Sequence, residues 1–306
     1  MNAQFVVSQL LNGVQFGVFL YLMAAGLTLV LGVMDIISLV HGSLFMLGAY
    51  FAAITFEQSG SFVLALATAV AGTGLLGLLL HTALLARLQS GGHLKQVLAT
   101  FGLTLFFNEF VRILWGPSAH YMQVPGIFSG TVSLGSVTYP AYRLAIVGAG
   151  ILVAIALWVL IHKTRVGMLI RAGATNRDTV EALGVNIIAL NAAIFALGAA
   201  LAGLAGGVAA PLLSVQSGMG DSILIMALVV IVLGGVGSSK GAFVAAIFVA
   251  LVDTAGRVFI PLLFRSLMDR SLANAAGPAI ASMLIYCVTA VILTVRPEGL
   301  FSTRNR

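Results

Sequence analysis

Long runs of apolar residues, separated by short polar stretches, follow one another along almost the whole chain. A helix that crosses the hydrocarbon core of a bilayer needs about 20 consecutive, mostly apolar residues. About nine segments, with a range of eight to ten, approach or exceed that length. They are Leu10–Met34, Ile36–Phe56, Phe62–Arg87, Leu94–Leu114, Ala141–Ile161, Ile188–Leu212, Ile223–Val236, Ala242–Ile260 and Ala275–Val295. The pattern predicts an all-α, polytopic membrane helix bundle.

One of these segments, Ile223–Val236, is too short to span a membrane unaided and runs directly into glycines. A broken or re-entrant helix is stable at membrane depth only where its backbone is buried against protein, so we expect this segment to pack inside the bundle. Most of the 35 glycines stand within apolar segments, and Gly13–Gly17 and Gly203–Gly207 have the GxxxG spacing that lets helices approach closely. We expect one domain over residues 1–306, with some helices broken by glycine and with pseudo-repeated halves.

The composition excludes an ordinary soluble domain. The chain is 60% hydrophobic and only 8% charged, and its mean hydropathy is +1.11, so it has too few charges to cover a surface that faces water. The net charge of +6 would suggest nucleic acid in a soluble protein. Here Lys and Arg cluster at the ends of segments, so no nucleic-acid partner is expected. The single cysteine, Cys287, excludes a disulfide within the chain.

Lys and Arg concentrate in three places, all on one side if nine segments cross the membrane. Cytoplasmic loops carry an excess of these residues, so we expect a cytoplasmic C-terminus and a periplasmic N-terminus. The stretch 115–140 has no Lys or Arg, as expected of an external loop, whereas Arg257, Arg265 and Arg270 go against the rule. The three places are Arg87 with Lys95, the stretch from Lys163 to Arg177, and Arg296 with Arg304 and Arg306.

Polar side chains inside apolar segments are costly in lipid, so they are expected to face the bundle interior or water. Two pairs, Glu109 with Arg112 and Asp253 with Arg257, have helical spacing, and a structural ion pair is favoured over solute contact for both. Four further side chains are candidates for a translocation pathway. They are Asn12, Gln15, His41 and Asn108.

The sequence offers no catalytic or nucleotide-binding motif. The sequence shows no conspicuous carboxylate pair, no nucleophile beside a base and no H-x-x-H spacing. Their absence argues against a membrane enzyme. The run GGVGSSKG, Gly234 to Gly241, has glycines before a lysine, but a phosphate-binding loop needs Gly directly before that lysine and Ser or Thr directly after it. Ser239 and Gly241 occupy those places. A tight turn between two broken helices is the favoured interpretation.

The stretch from Lys163 to Gly184 is the one long polar and basic segment. Thr175 with Asp178 offers a capping box, or Asn176 caps the helix instead, and Gly184 is a natural residue to end it. A helix of about two turns is marginal alone in water, so it needs something to pack against. An external partner and the chain's own bundle are the two alternatives.

Four blocks of the sequence carry a family resemblance. They are GLTLVLGVMDIISLVHGSLFMLGAY (Gly26 to Tyr50), the stretch Thr164 to Gly184 continuing into FALGAALAGLAGG (Phe195 to Gly207), VLGGVGSSKGA (Val232 to Ala242) and RPEGLF (Arg296 to Phe301). In this order they resemble the LivH-type inner-membrane permease subunits of branched-chain amino acid ABC importers. Ser38-Leu39-Val40 stands where that family usually has Asn-Phe-Ala. Ser43 follows the His-Gly pair, where the family often has an acidic or similar polar residue. The identity of the transported solute therefore stays undetermined.

The resemblance implies a single permease domain with a cytoplasmic coupling loop at 163–187, in a bacterial inner membrane. It implies two cytoplasmic ABC ATPase subunits that hydrolyse ATP, a second homologous permease, with a heterodimer favoured over a homodimer, and an extracytoplasmic solute-binding protein. The chain itself would bind no cofactor. The solute would be a branched-chain amino acid or a related urea, amide or aromatic acid. Coupling to the ATPase would fall to Arg171, Asn176, Asp178, Glu181, Ala182 and Gly184.

Two other classes fit a glycine-rich bundle. An ion-coupled secondary transporter would move solute without an ATPase. A membrane-embedded scaffold would bind partners and move nothing. Transport that is sensitive to a protonophore would indicate the secondary transporter, and uptake of labelled solute into proteoliposomes separates the scaffold from both kinds of transporter.

Overall fold

The computed structural model describes residues 3–88, 92–135, 137–267 and 270–301 of the chain, and it is helical almost throughout. The helices are α1 (Ala3–Met34), α2 (Val40–Ser59), α3 (Phe62–Leu80), α4 (Ala86–Leu88), α5 (His93–Trp115), α6 (Ala141–Lys163), α7 (Arg165–Thr175), α8 (Arg177–Ala182), α9 (Ile187–Ala209), α10 (Met219–Gly234), α11 (Ser239–Leu267) and α12 (Arg270–Val295). A π-helical turn, His81–Leu85, links α3 to α4. A short antiparallel hairpin, β1 (Thr131–Leu134) with β2 (Val137–Pro140), lies between α5 and α6.

Within the described ranges, eight helical stretches are long and apolar enough to cross a membrane. They agree with eight of the nine predicted segments, and the polytopic helix bundle is confirmed. The segment singled out as too short is the 16-residue α10, which begins at Met219, four residues earlier than predicted. Its first turn packs on α2, since a Cβ added to Gly220 would lie 1.9 Å from the carbonyl oxygen of Gly42.

Helix α1 is the centre of the bundle, because most of its middle and C-terminal part is buried. Gly13 and Gly17 lie against α11, where added Cβ atoms would come within 2.8 Å of Leu251 and Ile247. On another side of α1, Gly26 meets Gly198 of α9 at similarly short range. The GxxxG spacing therefore serves close helix packing, in which dispersion contacts replace the hydrophobic effect that lipid does not supply.

The chain turns back into the bundle between α1 and α2. Asp35 ends α1 with a φ of 55°, a left-handed conformation that Asp tolerates better than most residues. Residues 35–38 are not helical, and α2 starts only at Val40, four residues later than the predicted segment. The first turn of α2 is buried beside Gly198, which itself meets Gly26. Gly26 precedes the end of α1 by about two turns, or about 12 Å, so α2 begins at depth and not at a surface.

The two ends of the bundle can be told apart by what they carry. At one end, here called the loop end, lie α7 and α8, the Asp35–His93 contact of 3.8 Å, and the hydrogen bond of 2.7 Å from Leu300 N–H to the Leu233 carbonyl. At the other, the hairpin end, lie β1 and β2 and the bridge between His120 and Val215. Lys95, the 163–177 stretch and Arg296 all belong to the loop end, as the distribution of cations predicts.

Candidate functional site

Helix α7 is fixed to the end of α6. The Thr164 hydroxyl accepts a hydrogen bond of 3.0 Å from Gly167 N–H and so caps α7. Gly167 packs so tightly that a Cβ there would lie 2.2 Å from the carbonyl oxygens of Leu160 and Ile161. The Arg171 guanidinium donates to the same Ile161 carbonyl. The Thr164 hydroxyl also donates to the Leu160 carbonyl, so Thr164 and Arg171 supply donors to two of the last carbonyls of α6, which have no partner in their own helix.

Helix α8 follows directly and is a separate six-residue helix. Asn176 is its cap, because its side-chain oxygen accepts from Thr179 N–H at 3.0 Å. The Thr175 hydroxyl instead donates to the Arg171 carbonyl within α7, so the alternative cap is excluded. Gly184 follows the helix with a φ of +86°, and its N–H donates to the Glu181 carbonyl at 2.9 Å.

The structure divides the predicted coupling residues into two groups. Asn176, Glu181, Ala182 and Gly184 are exposed on or next to α8. Arg171 instead ties α7 to α6, so its role in the structure is that of a tether. The side chain of Asp178 lies outside the described residues.

Two apolar side chains, one in α8 and one directly after it, differ strongly in exposure. Val180 is 5% exposed and packs on the bundle, whereas Leu183 is 78% exposed. A helix of six residues is too short to be stable alone in water, so it depends on packing against the bundle or against another surface.

The four pathway candidates do not converge on one point. Gln15 is 8% exposed within α1. Asn108 donates weakly to Asp221 at 3.5 Å, while its backbone carbonyl accepts from the Ser217 hydroxyl at 2.9 Å. These contacts join α5, about two turns before its end, to the start of α10. Asp221 is a site residue that sequence reasoning missed, although an acidic residue in the first turn of a helix was a usable signal.

Asn12 is part of a different cluster at the hairpin end. Its side-chain oxygen accepts hydrogen bonds from the Tyr139 hydroxyl at 3.0 Å and from the Arg143 guanidinium. Burial raises the pKa of Tyr139, and the neighbouring Arg143 opposes that shift, so the phenol is protonated near pH 7 and donates. Asn12 thus connects α1 to β2 and α6, a long-range contact that no local sequence pattern indicates.

We expect Asn12→Leu to destabilise the folded protein by about 1–3 kcal/mol, because it leaves two donors without their acceptor. Asn12→Asp keeps the acceptor and adds a charge opposite Arg143, so its unfolding temperature should stay near that of the wild type. Thermal unfolding in mild detergent measures both. Equal losses in the two variants would contradict the assigned hydrogen bonds.

His41 lies in the core and not at a surface. It is completely buried, its Nδ1 is 3.4 Å from the Ser38 hydroxyl, and its ring meets that of Phe195 edge-on at 5.5 Å. Its Nε2 has no hydrogen-bond partner among the described residues. Its neighbour Gly42 packs on Gly220, which precedes Asp221, so His41 lies closer to the Asn108–Asp221 contact than to the Asn12 cluster. Its place in a pathway stays a prediction.

The two helical ion pairs are confirmed. Arg112 lies 2.9 Å from Glu109 with both side chains more than half exposed, and Arg257 lies 2.8 Å from Asp253, whose side chain is 4% exposed. Exposed pairs contribute little to stability. The buried carboxylate of Asp253 depends more strongly on its arginine, since an unpaired charge there would be costly.

Comparison with known proteins gives a consistent result over nearly the whole chain. The family model described as "Branched-chain amino acid transport system / permease component" matches residues 9–294. BraD of Pseudomonas aeruginosa, a high-affinity branched-chain amino acid transport system permease protein, is 26% identical over 311 residues, covering 96% of this chain and 95% of that protein. The LivH permease proteins of Salmonella typhimurium and Escherichia coli K12 are 25% and 24% identical over 295 residues, covering 89% of this chain and 93% of theirs. No solved structure matches the chain significantly.

Proposed function

The chain belongs to the family of permease components of branched-chain amino acid transport systems, and from this premise we propose that it is the membrane subunit of an ABC importer. It would carry branched-chain amino acids, or a related small solute, across a bacterial inner membrane. The loop end would face the cytoplasm. The observation that supports this most directly is α8, a short capped helix with an exposed leucine, at the end of the bundle where the cations gather.

In this proposal ATP is hydrolysed by two separate cytoplasmic subunits, and α8 lies in a groove of one of them. A second homologous permease completes the pore, and a solute-binding protein delivers solute at the hairpin end. Leu183 would fill an apolar pocket of the ATPase, with Glu181 and Asn176 supplying polar contacts around it. Buried apolar side chains surrounded by polar groups are typical of stable protein interfaces.

The contacts of α7 support a mechanism of alternating access. A displacement of α8 would be transmitted through α7, because Arg171 and Gly167 hold α7 on the last turn of α6. A Cβ added at Gly173 would lie 3.9 Å from Val33 Cγ1, so α7 also passes near the end of α1. Closure of the ATPase pair would therefore move the loop-end halves of α6 and α1 together and rock the bundle between outward and inward states.

An ion-coupled secondary transporter is the alternative, and co-purification separates the two. The chain is expressed with its chromosomal neighbours, extracted in mild detergent, and its partners are identified by mass spectrometry. We expect a P-loop ATPase to be recovered, and to be lost when Glu181 and Gly184 are changed together. A chain that is recovered alone and still moves solute in liposomes without ATP would establish the alternative.

A further inference from the structure

A large cavity opens at the loop end of the bundle. Its volume is ≈ 1260 Å³, and its walls come from the end of α1, the α6–α7 junction, the α10–α11 connection and the residues after α12. Small-molecule sites usually measure about 300–1,000 Å³, so the cavity can hold a small solute in one part of its volume. Polar and apolar groups both line it, unlike the lipid-facing surface of the bundle.

Thr28 supplies a polar group at the α1 wall that the fold does not satisfy. Thr28 lines the cavity, is 1% exposed, and its hydroxyl has no hydrogen-bond partner among the described residues. Tyr21 lies two turns before Thr28 and Gly32 one turn after it, on the same face of α1. Tyr21 meets the Ser239 hydroxyl at 3.4 Å, and Gly32 packs on Gly237. The unpaired hydroxyl therefore lies beside the start of α11.

The start of α11 is suited to a carboxylate. The Ser238 hydroxyl caps the helix by accepting from Gly241 N–H at 3.0 Å, and the remaining N–H groups of the first turn have no carbonyl partner within the helix. A helix of 29 residues also carries a partial positive charge at this end. Lys240, exposed and on the cavity wall, adds a full positive charge. Carboxylates bind well at helix N-termini of this kind.

Two negatively charged side chains line the same cavity. Asp35, at the end of α1, and Glu298, after α12, both line it and are both exposed. Arg171 also lines it, but its guanidinium already donates to the Ile161 carbonyl. A ligand with one carboxylate and one ammonium group would thus find partners for both charges, and an apolar wall for a side chain.

We propose that this cavity is a second solute site, which binds a small zwitterionic α-amino acid from the cytoplasmic side. The ligand carboxylate binds to Lys240 and to the start of α11, and its ammonium group binds to Asp35 or Glu298. Thr28 lies at the inner end of the cavity. The inference rests on the proposed function for its choice of ligand and membrane side. Because the wall includes α7 from Gly173 to Thr175, an occupant contacts the segment that leads to α8. Solute that accumulates inside would then slow further import.

Equilibrium binding of radiolabelled leucine to the chain in lipid nanodiscs tests the site. Lys240→Gln removes a full positive charge at an exposed position, so it should raise the Kd about tenfold, which corresponds to about 1.4 kcal/mol. Thr28→Val, which removes only the hydroxyl, should raise it about threefold. Lys95→Gln is the matched control, since Lys95 is an exposed cation of the same end that does not line the cavity. Isopentylamine and 4-methylpentanoate, which each lack one charge, should compete more weakly than leucine.

Three results would overturn the proposal. The first is that the wild-type chain does not bind leucine. The second is that wild type, Lys240→Gln and Thr28→Val have equal Kd values. The third is that Lys95→Gln raises the Kd as much as Lys240→Gln does. Lys240 is exposed, so its variant reports on the site even if Thr28→Val fails to fold. ATP-driven uptake without leucine binding in this cavity would refute the site alone. Leucine binding that requires Lys240, without any ATP-driven uptake, would refute the importer and leave the site.

Discussion

Gly48→Ala should destabilise the folded protein by about 3 kcal/mol, at the upper end of the range for overpacked positions. A Cβ at Gly48 would lie 2.4 Å from the Cα of Gly203 and 2.5 Å from its carbonyl oxygen. Both atoms belong to the backbone of α9, so no side chain can rotate away and the two helices must separate. Their separation would also disturb α3, which packs on Gly203 through Thr73.

Gly102→Ala is the matched control for this prediction. Gly102 stands within α5 and is exposed, with no atom within 4 Å of an added Cβ. Alanine is favoured over glycine inside a helix by about 0.5–1 kcal/mol, so this variant should be as stable as the wild type or slightly more. Thermal unfolding in mild detergent, followed by size-exclusion chromatography, measures both variants. Similar unfolding temperatures for the two would contradict the close approach of α2 and α9.

Gly184→Pro should reduce ATP-driven uptake at least about tenfold, which corresponds to about 1.4 kcal/mol or more of lost coupling. Proline fixes φ near −65° and has no N–H, whereas Gly184 has a φ of +86° and donates its N–H to the Glu181 carbonyl. The end of α8 therefore cannot form as it does in the wild type. Glu181→Lys, which leaves the backbone intact and reverses an exposed charge, should reduce uptake as well.

The unfolding temperature of each variant distinguishes a loss of coupling from a loss of folding. Gly184 and Glu181 are exposed at a short helix on the end of the bundle, so the strain that proline introduces stays local and the unfolding temperature of both variants should stay near that of the wild type. Uptake into proteoliposomes and ATPase activity are measured on the same preparations. We expect ATP hydrolysis that no longer depends on solute. Normal uptake in either variant would refute the assignment of α8 as the coupling helix.

Much of the fold could be predicted from local properties of the sequence. Apolar length alone gives the eight long helices, because lipid leaves the backbone no alternative to internal hydrogen bonds. The short α10 was equally evident from its length, and Gly184 from its place after a helical stretch. The spacing of Glu109 with Arg112, and of Asp253 with Arg257, predicted two ion pairs that the structure contains.

The parts that sequence reasoning missed depend on residues far apart in the chain. Asn12 was a pathway candidate, but Tyr139 and Arg143, more than 120 positions away, are the groups that bind its side chain. Arg171 was placed with the coupling residues, yet it donates to a carbonyl ten positions earlier, across a change of helix direction. Hydropathy and spacing contain no information about such contacts.

The sequence by itself thus determined which segments are helices, which loop is polar and which family the chain belongs to. These properties depend on residues that are close together along the chain, because the hydrophobic period, the length of each apolar segment and the order of the motifs are enough to predict them. Only the tertiary structure decided that α2 begins inside the bundle, that Leu183 and not Val180 faces outward, and that Thr28 lies unpaired beside the start of α11. These features arise because glycines such as Gly26, Gly48 and Gly198 let helices meet backbone to backbone, and it is the packing of whole helices that brings distant polar groups together.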